Sequence, residues 1–238
     1  MKNKILKDSV LKENSSEYKK LMFMYNSALK ELNTKIDVIS DEFKTLYRYN
    51  PIEHVKTRIK SYDSIKEKVK RKGYQMDANV IVNNLSDIAG IRIVCSFVPD
   101  VYRIVDVINS RSDINVIESI DYIENPKKSG YQSYHMVVLV PVYLSGITVN
   151  VKVEIQIRTI AMDFWASLEH KIKYKFDGEV PKNVSRELID CAKSVRKLDR
   201  KMANLGKDTI EGLNESMQVV YKELMDNNNA LYMLETNN

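Results

Sequence analysis

Residues 147–158 read ITVNVKVEIQIR. Ile147, Val149, Val151, Val153, Ile155 and Ile157 are apolar, and Thr148, Asn150, Lys152, Glu154, Gln156 and Arg158 are polar. A strict period of two predicts a β-strand with one face in a core. The other face carries Lys152, Glu154, Gln156 and Arg158 in a row, about 7 Å from one to the next. Such a face is either solvated or the floor of a polar site. On pattern alone the solvated reading is the commoner one, because half-exposed antiparallel strands are frequent.

Working outward, His135 to Val142 is an apolar strand, and a turn at Ser145-Gly146 joins it to the first as an antiparallel hairpin. Asp87 to Cys95 (DIAGIRIVC) reads as a buried strand, 99–111 as a helix and 114–120 as a short strand. Asn125 to Gly130 is a loop, and a helix is expected over 159–176. Before this β-rich centre, Tyr18, Leu21, Met22, Tyr25, Leu29, Leu32, Ile36, Ile39, Phe43 and Leu46 recur at three- and four-residue spacing. That predicts a long helix over 15–48, capped by Ser15 or Ser16 and stopped by Asn50-Pro51. A second helical segment is expected over 52–72, restarting at the capping box Ser64-Ile65-Lys66-Glu67 and closed by Gly73. Beyond a linker at Asp177-Gly178 and Pro181, two amphipathic helices are expected at 183–204 and 208–235, separated near Gly206. Their apolar stripes are Val184, Leu188, Val195, Leu198 and Met202, then Ile210, Leu213, Met217, Val220 and Leu224. The class is α+β, a mixed, largely antiparallel sheet with helices before and after it. The division is an N-terminal helical segment (1–50), a central domain (51–180) and C-terminal helices (181–238), the last suited to packing on the core or to oligomerisation.

The composition narrows the function. The chain has 238 residues and is 44% hydrophobic, as ordinary globular proteins are. Apolar runs are short and broken by charges, so no membrane span is expected. The start, MKNKILKDSVLKEN, lacks an apolar signal region. Cys95 and Cys191 lie far apart without CxxC spacing and read as buried thiols, which fits a reducing cytoplasm. A net charge of +5 is too mild for a dedicated DNA-binding stripe and suits small anionic ligands in a cleft. Seven glycines form neither GxxxxGK[ST] nor GxGxxG, so lysines, arginines and metal ions would have to hold any phosphates. None of the three histidines, His54, His135 and His170, precedes an Asp, which argues against a His-Asp phosphohydrolase.

Several residues could carry chemistry. Asp87 opens one central strand and Glu154 lies on the polar face of another, and two carboxylates brought together by a sheet can hold Mg²⁺. Arg58, Lys60, Lys66 and Lys68 cluster ahead of Asp87, a pattern more usual for a solvated helix face. Arg92 stands inside an apolar strand, where an arginine needs a partner or a ligand. The segment 122–135, YIENPKKSGYQSYH, mixes tyrosines that can stack on a base with lysines that can pair with phosphates. Trp165 reads as core.

These motifs in this order resemble the synthetase domain of the RelA/SpoT family, in particular its single-domain small alarmone synthetases. The matching segments are RIKSYDSIKEK (58–68), DIAGIRIVC (87–95), YIENPKKSGYQSYH (122–135), EIQIRT (154–159) and FWASLEH with Tyr174-Lys175. The resemblance implies a nucleotidyltransferase-like fold and transfer of the β,γ-diphosphate of ATP to the ribose 3′-hydroxyl of GDP or GTP, giving (p)ppGpp and AMP. It assigns Arg58 and Arg92 to the adenine and Lys60, Ser64 and Lys68 to the ATP phosphates. Asp87 and Glu154 take Mg²⁺ and catalysis. Tyr131 is assigned to the guanine, and Lys127, His135, Gln156 and Asp163 to the guanine nucleotide. Arg158 supports the strand's end. Homotetramers and an allosteric (p)ppGpp effector are also implied.

Three positions depart from the family pattern. Asp163 stands where Asn is common, Ile120 where a charged residue often precedes Asp121-Tyr122, and His54 where a Phe occurs in allosterically activated members. The rival readings are a catalytically weak guanine-nucleotide or RNA-binding protein on the same fold, and an enzyme that moves a nucleotidyl group.

Overall fold

The computed structural model describes residues 11–47, 49–176, 180–207, 212–213 and 216–226. The linker pair Asp177-Gly178 and the stripe residue Ile210 lie outside the described residues. Of the helix expected over 208–235, residues 212–213 and 216–226 are described and helical.

In chain order the elements are α1 (Ser16–Leu46), β1 (Ile52–Ile59), α2 (Tyr62–Arg71), α3 (Ala78–Asn84), β2 (Ala89–Cys95), α4 (Val98–Ser110), β3 (Asn115–Asp121), β4 (Tyr134–Tyr143), β5 (Thr148–Thr159), α5 (Ile160–Lys175) and α6 (Lys182–Leu205). The five strands form one sheet in the order β1-β2-β5-β4-β3. β2 and β5 run parallel, and the other neighbours are antiparallel. The α+β class, a mixed and largely antiparallel sheet with helices before and after it, stands as expected. Leu32, Ile36, Ile39 and Phe43 of α1 and Val101, Ile104 and Ile108 of α4 join Ile91, Ile93, Ile155 and Ile157 in one core on one face of the sheet. Ser15 caps α1 by accepting a hydrogen bond from the Tyr18 N–H.

The segment 52–59 corrects the sequence expectation, because it is the edge strand β1 and not a helix. Ile52 is buried, and Val55 and Ile59 are half-buried. A register shift between Ile52 and His54 breaks the alternation, which leaves apolar residues three and four apart, the spacing of a helix. The helix that follows starts at Tyr62, where Ser61 accepts from the Ser64 N–H, three residues ahead of the expected restart. Gly73 follows it at φ +73°, as expected for a helix-terminating glycine. α3, for which the spacing gave no signal, is capped by Asp77. In α6, Leu198 and Met202 of the expected stripe turn outward, while Ala192 and Asp199 are buried. Of the two cysteines, Cys95 is buried and Cys191 is exposed, so the buried-thiol expectation fails for Cys191.

Candidate active site

The register of the sheet assembles the site. Arg58, Gly90, Glu154, Val137 and Glu118 are successive cross-strand partners from β1 to β3. Lys56, Arg92, Gln156, His135 and Ile120 form the next row on the same face. The polar face of β5 grades from exposed Thr148 and Asn150, through half-buried Lys152, Glu154 and Gln156, to buried Arg158.

Two adjoining cavities open on this face. The larger, about 600 Å³, is lined among others by Lys68, Asp87, Lys127, Tyr131, His135 and Glu154. The smaller, about 210 Å³, is lined by Lys56, Thr57, Gly90, Ile91 and Arg92. Arg58, Glu154 and Gln156 line both and form the partition. Most of the sequence-selected residues thus converge. Lys60 reaches the site through Asp87. Ser64 is exposed on α2, its hydroxyl accepting from Ser61. Asp163 lies behind the walls on the first turn of α5 and faces Arg92.

Asp87 is held by charge. Its Oδ2 lies 2.5 Å from Lys60 Nζ and 2.7 Å from Lys68 Nζ. Burial alone would raise its pKa, but the two ammonium groups outweigh burial and leave it below the ordinary carboxylate value. Among the described residues, its Oδ1 is buried without a hydrogen-bond partner. An unmatched carboxylate oxygen on a cavity that also presents Glu154 is a donor set that fits a hard cation. Among the described residues no cluster of three or more His, Cys, Asp or Glu could hold a metal. A Mg²⁺ ion here would therefore take its remaining ligands from phosphate and water, the usual arrangement for that ion.

Glu154 is held by hydrogen bonds within the sheet. Gln156 Nε2 donates to its Oε2 at 2.8 Å, and His135 Nδ1 lies 3.3 Å from its Oε1. His135 Nε2 meets the Tyr131 hydroxyl at 2.8 Å, and that hydroxyl accepts from Arg158 Nη2 at 2.9 Å. Arg158 Nη2 also donates to Gln156 Oε1 at 2.6 Å, which closes a ring of five side chains. With the His135 proton on Nδ1, every one of these contacts has one donor and one acceptor. Burial pushes the Glu154 pKa up, yet the bonds from His135 and Gln156 prevail and set it below the ordinary glutamate value.

Tyr131 owes its position to Gly130, which adopts φ +90° in a turn closed by the Gly130 N–H on the Lys127 carbonyl. A Cβ at residue 130 would stand 2.5 Å from Ala192 Cβ on α6, so glycine alone lets the loop lie this close. The Tyr131 ring packs against Trp165, Ala166 and Ala192. Lys127 Nζ sits over the Tyr122 and Tyr131 rings at 4.4 and 4.9 Å. Lys56 and Glu118, which line the walls, carry no local signal in the sequence, and Arg158 has only a supporting place at the strand's end in the sequence expectation. The signal for Arg158 was available, since it is the one polar position of the alternating run that approaches the buried α5 junction.

Residues 57–179 match a family model described as a region found in RelA/SpoT proteins. Among similar proteins, GTP pyrophosphokinase YwaC of Bacillus subtilis (strain 168) is 44% identical over 198 residues, which cover 83% of this chain and 94% of YwaC. The chain belongs to the RelA/SpoT family. Within the family it is similar to the small alarmone synthetase 1 from Bacillus subtilis bound to its product pppGpp, with TM-score 0.76, 36% identity, and coverage of 82% of this chain and 98% of that one. It is also similar to the same synthetase bound to AMPCPP, with TM-score 0.72, 34% identity, and coverage of 83% and 100%.

Proposed function

We propose that the chain is a monofunctional (p)ppGpp synthetase, a GTP/GDP diphosphokinase that moves the β,γ-diphosphate of ATP to the ribose 3′-hydroxyl of GDP or GTP and releases AMP. The observation that carries the reading is the cavity that gathers Asp87, Glu154, Lys68, Lys127 and Tyr131, in a chain that matches YwaC over nearly its whole length. The synthetase structure holding pppGpp supports a guanine-nucleotide product, and the one holding AMPCPP, an ATP analogue, supports ATP as donor.

The residues fit the reaction as follows. Arg58 and Arg92 offer flat guanidinium faces to the adenine in the smaller cavity. Lys60 and Lys68, now on Asp87, are flexible point charges that turn to the phosphates when ATP enters, with Ser64 close by on the same helix. Mg²⁺, held by Asp87 and Glu154, would neutralise phosphate charge. Tyr131 stacks on guanine, Lys127 meets phosphates and Gln156 meets the same nucleotide, while His135, assigned to the guanine nucleotide by the resemblance, serves it by holding Glu154 and the Tyr131 hydroxyl. Glu154, ionised across neutral pH, accepts the hydrogen bond of the 3′-hydroxyl and aims its oxygen at the β-phosphorus in line with departing AMP. Residues 51–180 would carry the chemistry, and the helices of 181–238 would serve a homotetramer. No described helix is long and apolar enough to cross a membrane, which agrees with work in the cytoplasm during the stringent response.

Labelled ATP, Mg²⁺ and GDP or GTP, with the products resolved, test the reading. AMP and a 3′-diphosphorylated guanosine nucleotide are expected. Absence of AMP with every guanine acceptor would defeat it.

A further inference from the structure

Arg158 lines neither cavity and is only 2% exposed, yet it grips residues that line both. Its Nη2 donates to Gln156 and to the Tyr131 hydroxyl. Its Nη1 lies 3.4 Å from Asp163 Oδ1, and the same oxygen meets Arg92 Nη1 at 3.1 Å. Arg92 belongs to the smaller cavity, Tyr131 to the larger and Gln156 to both. One guanidinium and one carboxylate behind the sheet's polar face therefore join the walls of the two compartments.

Placing a cation here is costly. Burial pulls the Arg158 pKa down, and its Nε is buried without a partner among the described residues. An apolar side chain would fill a core position without that cost, so burial for stability alone accounts poorly for an arginine. The fork of donors accounts for it better. A guanidinium can meet three acceptors on three elements at fixed angles, whereas an ammonium meets them only as a point charge. Each acceptor it meets belongs to, or directly holds, a residue facing a nucleotide compartment.

Building on the synthetase reading, we propose that Arg158 is the positioning residue of the acceptor side, and that Asp163, by bridging Arg158 to Arg92, fixes the geometry of the two nucleotide compartments relative to each other. In this chain Asp163 acts through the arginines. A carboxylate suits that duty, because it accepts from two guanidinium groups at once.

The test uses the full chain with Arg158→Lys and with Asp163→Asn, reading steady-state kinetics, calorimetric binding of GDP and of AMPCPP, and melting temperature. Arg158→Lys should lower kcat and weaken GDP binding by about tenfold or more, with AMPCPP affinity kept within about threefold. Asp163→Asn should weaken both nucleotides by about fivefold or more, because it frees both arginines. Wild-type kcat and GDP affinity in Arg158→Lys would overturn the proposal. So would losses in both variants that track the folded fraction while KM and affinity stay unchanged. Binding is read without turnover, so a wild-type protein that binds both nucleotides and makes no product would sink the synthetase reading while the positioning claim is still decided.

Discussion

The two carboxylates of the site are kept ionised by different means. Asp87 depends on two ammonium groups carried on long side chains, Lys60 from the turn after β1 and Lys68 from α2. Glu154 depends on His135 and Gln156, whose positions follow from strand register and from Arg158 and Tyr131 behind them. The difference teaches how one sheet can serve two tasks. On the proposed reading, point charges on long side chains suit the side that would grip and release phosphates, and hydrogen bonds fixed by the sheet suit the side that would aim one hydroxyl.

Substitutions can break or sharpen that contrast. The largest effect is expected from Glu154→Ala and Asp87→Ala, each lowering AMP formation by about 10²–10⁴-fold in a steady-state assay. Next, Lys68→Ala should raise the KM for ATP by about tenfold and make it more sensitive to salt. Gln156→Ala should instead lower kcat by about tenfold with the KM for ATP nearly unchanged. A kcat loss in Lys68→Ala with ATP binding intact would erase the distinction between the two sides.

A smaller effect concerns stability against pH. Asp87 and Glu154 both lie below their unfolded values of 3.8 and 4.5 when the chain is folded. The unfolded chain therefore takes up their protons first as pH falls. Their contribution is fully present above about pH 5 and is lost as pH drops through the folded values. Thermal melts from pH 7 to pH 3 should show a shallower acid loss for Asp87→Asn than for the wild type. An unchanged slope would mean that the lysine pairs add no net stability.

Much of this could be read from the chain, for identifiable reasons. The alternation of β5 is strict because one face meets the core of α1 and α4 while the other meets water or the site, so Glu154 and Gln156 stood out. Arg92 stood out as a charge inside an apolar strand. β1 was hidden because a bulged edge strand with a single buried residue carries almost no period of two. Read as a helix, the same segment puts Arg58 on a helix face, although it is an edge-strand residue opposite Gly90. The joining of Lys60 and Lys68 on one oxygen, and the link from Asp163 to two arginines, depend on tertiary placement that no local spacing encodes.

On the proposed reading, the polar face of β5 changes, between Lys152 and Glu154, from ordinary surface to the floor of the active site. Lys152 is two residues from Glu154 on that face and donates to the Asn83 carbonyl, outside the site's network. Single-turnover formation of AMP from labelled ATP and GDP should be compared for wild type, Lys152→Gln and Glu154→Gln. A rate within about threefold of wild type is expected for Lys152→Gln, and a loss of about 10²-fold or more for Glu154→Gln. Equal rates for the two variants, or an undiminished rate for Glu154→Gln, would contradict that reading.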